Sequence, residues 1–308
     1  KRFLWLKRKM TLEETARVRA GKLPSVGVVP DELRVYPNGD LARPLLGAVD
    51  MDGNGTAGLE LKFNSRLKGR SRKILLQRDG SGRTMPAEPI EDPAEPPAEL
   101  RLSLDRSAQY FAEAELREAV LRHKAKRGVV LVQEPRSGDI LAAAVYPPDP
   151  TRNAALQDVF EPGSTFKIVA AAAVLEGRLL SPEDTVDCEG GRWALTQSVT
   201  IKDHEPEGVI TMAEVIERSS NIGTAKLALR LGAKEFHRWC RTFGFGYKTG
   251  LPLPGESAGL LPPHSSLTSV RLANAGFGQG VAVTAIQLVS AYSALANGGF
   301  LMEPRLVL

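Results

Sequence analysis

Apolar and polar positions alternate with helical spacing in several stretches of the chain. Each such stretch opens on a recognisable cap. Thr11-x-x-Glu14 is a capping box that predicts a short helix ending near Gly21. Asp105 opens a longer one over roughly 106–125, with Ala108, Ala112, Leu116, Ala119 and Val120 on one face. Thr211-x-x-Glu214 starts a helix that runs toward Arg218, and Ile222 to Leu231 resumes helical spacing up to Gly232. Thr284-x-x-Gln287 caps a last long helix, closed by Asn297-Gly298-Gly299. Strand patterns are fewer. Leu100 to Leu104 reads as one strand. Val129 to Val132 and Ile140 to Val145, joined through Arg136-Ser137-Gly138-Asp139, read as an antiparallel hairpin. Both arms are continuously apolar, so they are expected to be central and covered on both faces. Helices packed over antiparallel strands make the chain an α+β protein.

The composition shifts once, between Met85 and Glu99, where proline and acidic residues crowd out anything that packs. Such a segment is extended and solvated, which divides the chain into residues 1–93 and 94–308. At 308 residues two domains are expected. The net charge of +4 is too small to argue for nucleic acid, and no apolar run is long enough to cross a membrane. Lys1 to Lys9 gathers basic residues around Phe3, Leu4, Trp5 and Leu6, and reads as a solvated, half-docked segment. Cys188 and Cys240 have no metal or disulfide spacing, and His123, His204, His237 and His264 are scattered, so neither a metal site nor a cofactor is expected. Asp50-Met51-Asp52-Gly53-Asn54-Gly55 begins like a calcium loop. Its twelfth position is Leu61, not the bidentate Glu, so a glycine-rich turn is the better reading.

The chemistry concentrates at Phe160-Glu161-Pro162-Gly163-Ser164-Thr165-Phe166-Lys167. Pro162-Gly163 breaks the preceding segment, and Ile168 to Leu175 is almost wholly apolar up to Gly177. Ser164 is therefore expected in the first turn of a buried helix, with Lys167 on the same face one turn on. An isolated S-x-x-K is ordinarily a serine cap with a snorkelling lysine. In an apolar wall, however, burial lowers the lysine pKa and turns the amine into a base for the hydroxyl. The helix N-terminus adds positive potential where an oxyanion would form. Ser219-Ser220-Asn221 interrupts two helices further on. Gly276-Phe277-Gly278-Gln279-Gly280 lacks the spacing and the preceding strand of a dinucleotide loop.

Together these motifs resemble the penicillin-binding proteins, most closely the class B, division-type peptidoglycan transpeptidases, whose signature includes S-x-x-K and S-x-N. Arg218-Ser219-Ser220-Asn221 stands where the family has its second motif, and Gly278-Gln279-Gly280 with the following helix is also family-like. Tyr36-Pro37-x-Gly39 and Gly58-Leu59-Glu60 resemble the family's non-catalytic pedestal. The resemblance implies a pedestal over 1–93 and an antiparallel, helix-covered transpeptidase domain over 94–308, incomplete before its last strands. It implies that Ser164 forms an acyl-enzyme with the stem peptide's D-Ala-D-Ala end, or with a β-lactam, and that Lys167 accepts the proton. Ser219 would relay that proton, and Asn221 would bond to Lys167 or to the substrate amide. It further implies a location on the outer face of the cytoplasmic membrane, an anchor before Lys1, and partners that include a membrane glycosyltransferase and other division proteins. The family's third motif, Lys-Thr/Ser-Gly, follows the Gly278 segment. Lys248-Thr249-Gly250 precedes it and runs into prolines, so it is read as a coincidental loop tripeptide. The true motif is expected beyond Leu308, with Met302 to Leu308 opening another strand. The competing readings are a class D-like serine β-lactamase, which shares Ser-Thr-Phe-Lys, and a non-catalytic scaffold or penicillin sensor.

Overall fold

The computed structural model describes residues 4–69, 77–78, 80–81, 84–85, 96–149 and 151–308. The first three residues of the basic N-terminal run, Pro150, and most of the Pro-rich segment (86–95) lie outside the described residues. Two compact units emerge: Lys1–Arg101 with Pro148–Arg152, and Leu102–Pro147 with Asn153–Leu308.

In the first unit, α1 (Leu12–Ala20) carries the predicted capping box and buries none of its side chains. The short helices α2 (Arg43–Leu46), α3 (Gly58–Lys62) and α4 (Asn64–Lys68) follow, then an antiparallel pair, β1 (Gln77–Arg78) and β2 (Thr84–Met85). Its core is small and centres on Leu45 and Leu59. Gly58 has a φ of +56°, and a Cβ there would stand 2.4 Å from the Leu45 carbonyl oxygen, so α3 can approach α2 only with glycine at its start. Beneath it Glu60 is 5% exposed and accepts from Arg34 Nε at 2.7 Å. Tyr36 Oη is 3.4 Å from the same carboxylate oxygen, and the Arg43 guanidinium lies over the Tyr36 ring at 3.8 Å. The two pedestal-like motifs thus meet in one cluster. Asp50 closes its turn by accepting from the Asp52 and Asn54 N–H groups, each at 2.8 Å.

The second unit opens with a segment that is not the strand expected over Leu100–Leu104. Leu102 makes a single bridge to Val307. The Met302–Leu308 stretch likewise forms isolated bridges and no regular strand. Helix α5 (Arg106–Arg122) is capped by Asp105 and stops at His123, short of the predicted end. It packs on the hairpin of β3 (Gly128–Gln133) and β4 (Ile140–Tyr146). The expectation of two fully covered strands is corrected: β4 is largely buried, but β3 is mostly half-buried and pairs only with β4 among the described residues. The larger layer is helical. It comprises α6 (Ala154–Gln157), a 3₁₀ turn (Gly163–Phe166) and α7 (Lys167–Glu176). Two small antiparallel pairs follow, β5 (Thr185–Asp187) with β8 (Val209–Thr211) and β6 (Arg192–Ala194) with β7 (Thr200–Lys202). Then come α8 (Met212–Glu217), α9 (Asn221–Thr242), α10 (Ser269–Gly276) and α11 (Ala285–Ala296). Gly232, at φ +78°, ends the predicted helix as a kink, and helical structure continues to Thr242. Phe166, Val169, Ile222, Leu227, Phe236 and Phe245 are almost fully buried between α7, α9 and α10. Each such side chain contributes about 1.5–3 kcal/mol of burial, which makes this the rigid support for what stands at its edge.

Candidate active site

Ser164 lies in the 3₁₀ turn and is exposed, and α7 proper begins only at Lys167. This corrects the expected α-helical start, with a useful consequence. In a 3₁₀ turn residues i and i+3 lie on one face, which puts Lys167 on the Ser164 side of the turn, although the Lys167 ammonium bonds to Ser219 and not to the Ser164 hydroxyl. The turn is held by main-chain contacts from a distant segment. Gly163 N donates to Gly278 O at 3.2 Å, Gly280 N donates to a Glu161 carboxylate oxygen at 2.8 Å, and Phe160 and Val283 exchange both backbone hydrogen bonds. Gly278 has φ +80°, and a Cβ on it would lie 2.1 Å from Gly163 O. From α11, Tyr292 Oη donates to Thr165 O at 2.9 Å.

Lys167 is 2% exposed. Its ammonium donates to two oxygens of one residue, the carbonyl and, at 2.9 Å, the hydroxyl of Ser219. Burial pulls its pKa from 10.5 down to about 8, against the opposing charge of Asp203. Lys167 is thus a lysine that gives up its proton more readily than an ordinary one.

Local chain geometry explains why Ser219 offers both oxygens. Helix α8 ends in a Schellman motif: Ser220 N donates to Val215 O at 2.9 Å and Ser219 N to Ile216 O at 3.2 Å. Ser219 occupies the left-handed position, with φ +57°, that helices usually give to glycine. Such a conformation costs about 1–2 kcal/mol for a residue with a Cβ. Helix α9 then begins at once, its N-cap Ser220 accepting from Gly223 N at 2.8 Å. The Asn221 side chain does not reach Lys167. It donates to Lys202 O at 3.0 Å, so the expected Asn221–Lys167 bond is absent and the substrate-amide role remains open to it. Lys167 and Ser219 are therefore joined directly, Ser164 lies three residues before Lys167 in the 3₁₀ turn, and Asn221 stands at the head of α9.

Residues 128–308 match the penicillin binding protein transpeptidase domain, and residues 2–102 match the penicillin-binding protein dimerisation domain. The chain belongs to the penicillin-binding protein transpeptidase family. It is 34% identical over 301 residues to penicillin-binding protein PbpB of Mycobacterium tuberculosis, covering 93% of this chain and 44% of that protein. It is 31% identical over 315 residues to the probable peptidoglycan D,D-transpeptidase PenA of Neisseria gonorrhoeae, covering 98% and 54%. The ampicillin complex of penicillin-binding protein 3 from Mycobacterium tuberculosis superposes with a TM-score of 0.78 at 33% identity, over 89% of this chain and 60% of that one. The chain spans about half the length of the curated relatives it matches.

Within this penicillin-binding fold Lys248-Thr249-Gly250 is a loop whose polar groups are engaged elsewhere. Thr249 Oγ1 donates to Glu256 at 2.6 Å and Gly250 N to the other oxygen of that carboxylate at 3.3 Å. The two buried cysteines are unpaired thiols, and His237 and His264 meet edge to face at 5.9 Å. Sequence reasoning missed Asp203 and Tyr292. Neither carries a motif, and only the fold places Asp203 beside a residue eighteen positions on.

Proposed function

We propose that the chain carries the acylation machinery of a serine-type peptidoglycan D,D-transpeptidase. The observation behind this reading is the buried Lys167, one turn after Ser164 and held by neutral oxygens of Ser219, with a pKa lowered by burial to about 8. In the proposed step the neutral Lys167 amine takes the Ser164 proton as Ser164 Oγ bonds to the penultimate D-alanine carbonyl of a stem peptide. Ser219, whose hydroxyl accepts from Lys167, keeps its own proton to pass toward the departing amine, and is replenished from Lys167. The C–N bond breaks and the terminal D-alanine leaves. An amine from a second stem peptide then attacks the ester, the C–O bond breaks, and Ser164 is regenerated with the cross-link formed. Asn221 is assigned to the substrate amide. β-Lactams acylate the same oxygen. We further assign the protein to the outer face of the cytoplasmic membrane, working with a membrane glycosyltransferase and other division proteins.

The test is labelling of the full-length protein by a fluorescent penicillin. A stable adduct that Ser164→Ala abolishes is expected. An adduct that survives Ser164→Ala, or none with the parent protein, overturns the reading. Rapid hydrolytic turnover of the penicillin would instead make the protein a β-lactamase.

A further inference from the structure

Asp203, just after β7, belongs to neither sequence motif, yet it is the group on which the second motif is built. One carboxylate oxygen accepts from Asn221 N at 2.5 Å and Ile222 N at 3.0 Å, the first two free N–H groups of α9. The other accepts from the buried Ser220 hydroxyl at 2.6 Å. Ser220 in turn accepts from Gly223 N. The whole N-terminus of α9 is thus closed by one carboxylate and one hydroxyl, with the negative charge on the positive end of the helix dipole. Ser219 is the residue immediately before this clamp. Its left-handed backbone, unfavourable for serine, aims both its oxygens at Lys167. A strained turn persists only where its surroundings over-determine it.

We propose that Asp203 is a positioning residue for acylation, its carboxylate pinning the start of α9 so that the Ser219 turn stays closed on Lys167. It acts through Ser219 and Ser220 and touches no reacting atom. The inference rests on the reading of Ser164 as the nucleophile and Lys167 as its base. A second consequence follows from charge: Asp203 is the carboxylate that opposes the burial-driven loss of the Lys167 proton. Lys167 is otherwise met by the neutral carbonyl and hydroxyl of Ser219. Other ionisable groups around Asp203 are its chain neighbours Lys202 and His204, the Cys188 thiol, 3.3 Å from Ser220 Oγ, and Lys226 of α9. The Lys226 ammonium is held by Glu189 and the Asp187 carbonyl.

The two roles move acylation in opposite ways, which separates them from simple structural support. In Asp203→Asn the shape persists but the charge is gone, and the amide offers Ser220 a donor where it had an acceptor. Full-length protein is reacted with a fluorescent penicillin between pH 5.5 and 9.5, with Ser164→Ala as the blank. The plateau rate is expected to fall about tenfold, the cost of one loosened hydrogen bond to a charged group. The acid limb of the profile is expected to move about one unit toward lower pH, because removing an adjacent negative charge eases deprotonation of the lysine. A variant with both limb and plateau unchanged overturns the inference while leaving the Ser164 reading intact. A lower plateau with an unmoved limb also overturns it, reducing Asp203 to a fold element. A parent protein that never acylates overturns both. If Asp203→Asn does not fold by circular dichroism, Asp203→Glu is read instead. It should keep the parental acid limb and lose plateau rate, and a Glu variant equal to the parent in both overturns the proposal.

Discussion

Glu60 in the first unit and Lys167 in the second are both buried ionisable side chains, and the two are held in opposite ways. Glu60 in the first unit is met by a guanidinium at 2.7 Å, and arginine does not deprotonate in proteins. Lys167 in the second unit is met by a carbonyl and a hydroxyl, with no carboxylate in hydrogen-bond contact. The first arrangement fixes a charge and fastens α3 to the Arg34–Tyr36 segment. The second satisfies the geometry of an ammonium without paying its desolvation, so the proton is loosely held. A buried charge paired with a permanent opposite charge is a fastener, whereas one surrounded by neutral oxygens holds its proton loosely, which is what the proposed acylation step requires of Lys167.

The sharpest way to break this contrast is at the lysine. Lys167→Ala should lower the second-order rate of acylation by fluorescent penicillin by about 10²–10⁴-fold. Lys167→Arg should do nearly as badly, because it keeps a cation that cannot take a proton. An Arg variant that acylated at the parental rate would show that charge, not proton acceptance, is what the site uses. Next in size is Gly278→Ala. The added Cβ meets the Gly163 carbonyl at 2.1 Å and the residue has φ +80°, so the Gly163–Phe166 turn must shift. Strain of this kind costs about 1–3 kcal/mol, and we expect acylation to fall by more than tenfold with Lys167 still in place. A melting scan and the same labelling assay would show both.

The sequence made the caps and the turn at Ser164 legible because both are local. Thr11, Asp105, Thr211 and Thr284 all accept from the N–H three residues on, as short polar side chains before an apolar run should. The i, i+3 relation of Ser164 and Lys167 survives a change from α to 3₁₀ winding. What sequence did not show is what long-range pairing decides. The helical face predicted for α5 included Ala119, which is exposed, and omitted Gln109, which is 1% exposed. Gln109 is buried because its amide accepts from Ala143 N at 2.8 Å and donates to Ala143 O at 3.2 Å, serving the backbone of β4. The apolar runs 100–104 and 302–308 pair with each other only at a single bridge, so apolar pattern alone overstated them as strands. The short pairs β5–β8 and β6–β7 left no periodic signal at three residues each. Asp203 was invisible for the same reason, since its partners start α9.

Sharper tests come from pH and from the Ser219 turn. With a pKa of about 8, Lys167 is mostly protonated below that value. The acylation rate should therefore rise about tenfold per pH unit up to about 8 and level off above it. Stability carries the same sign. Between about 8 and the ordinary lysine value of 10.5 the unfolded chain binds more protons than the folded one. The cost of burying the ammonium is therefore relieved as pH rises through that window. A melting temperature that fell through it, after correction with Lys167→Met, would contradict the burial argument. Ser219→Gly separates the hydroxyl from the backbone. Glycine takes φ +57° without strain, so stability should hold or rise by about 1 kcal/mol, while acylation falls about tenfold for loss of the relay. Ser219→Ala should lose rate equally without the gain in stability.

The smallest expected effect on acylation is at Glu60, and that is its use. Glu60→Gln removes the charge but keeps an acceptor for Arg34, whose side chain is half exposed and can recruit water. The loss should therefore stay near about 1–2 kcal/mol, the difference between a charged and a neutral hydrogen bond. It should appear as roughly tenfold faster hydrogen exchange at the α2 and α3 amides, because those helices are joined through the Gly58 contact. The acylation rate and its pH limb should stay at parental values, since nothing in the Glu60 cluster exchanges a proton with Lys167. A limb that moved with Glu60→Gln would mean that the two buried charges sense each other, and the division into a fastener and a proton-transfer group would fail.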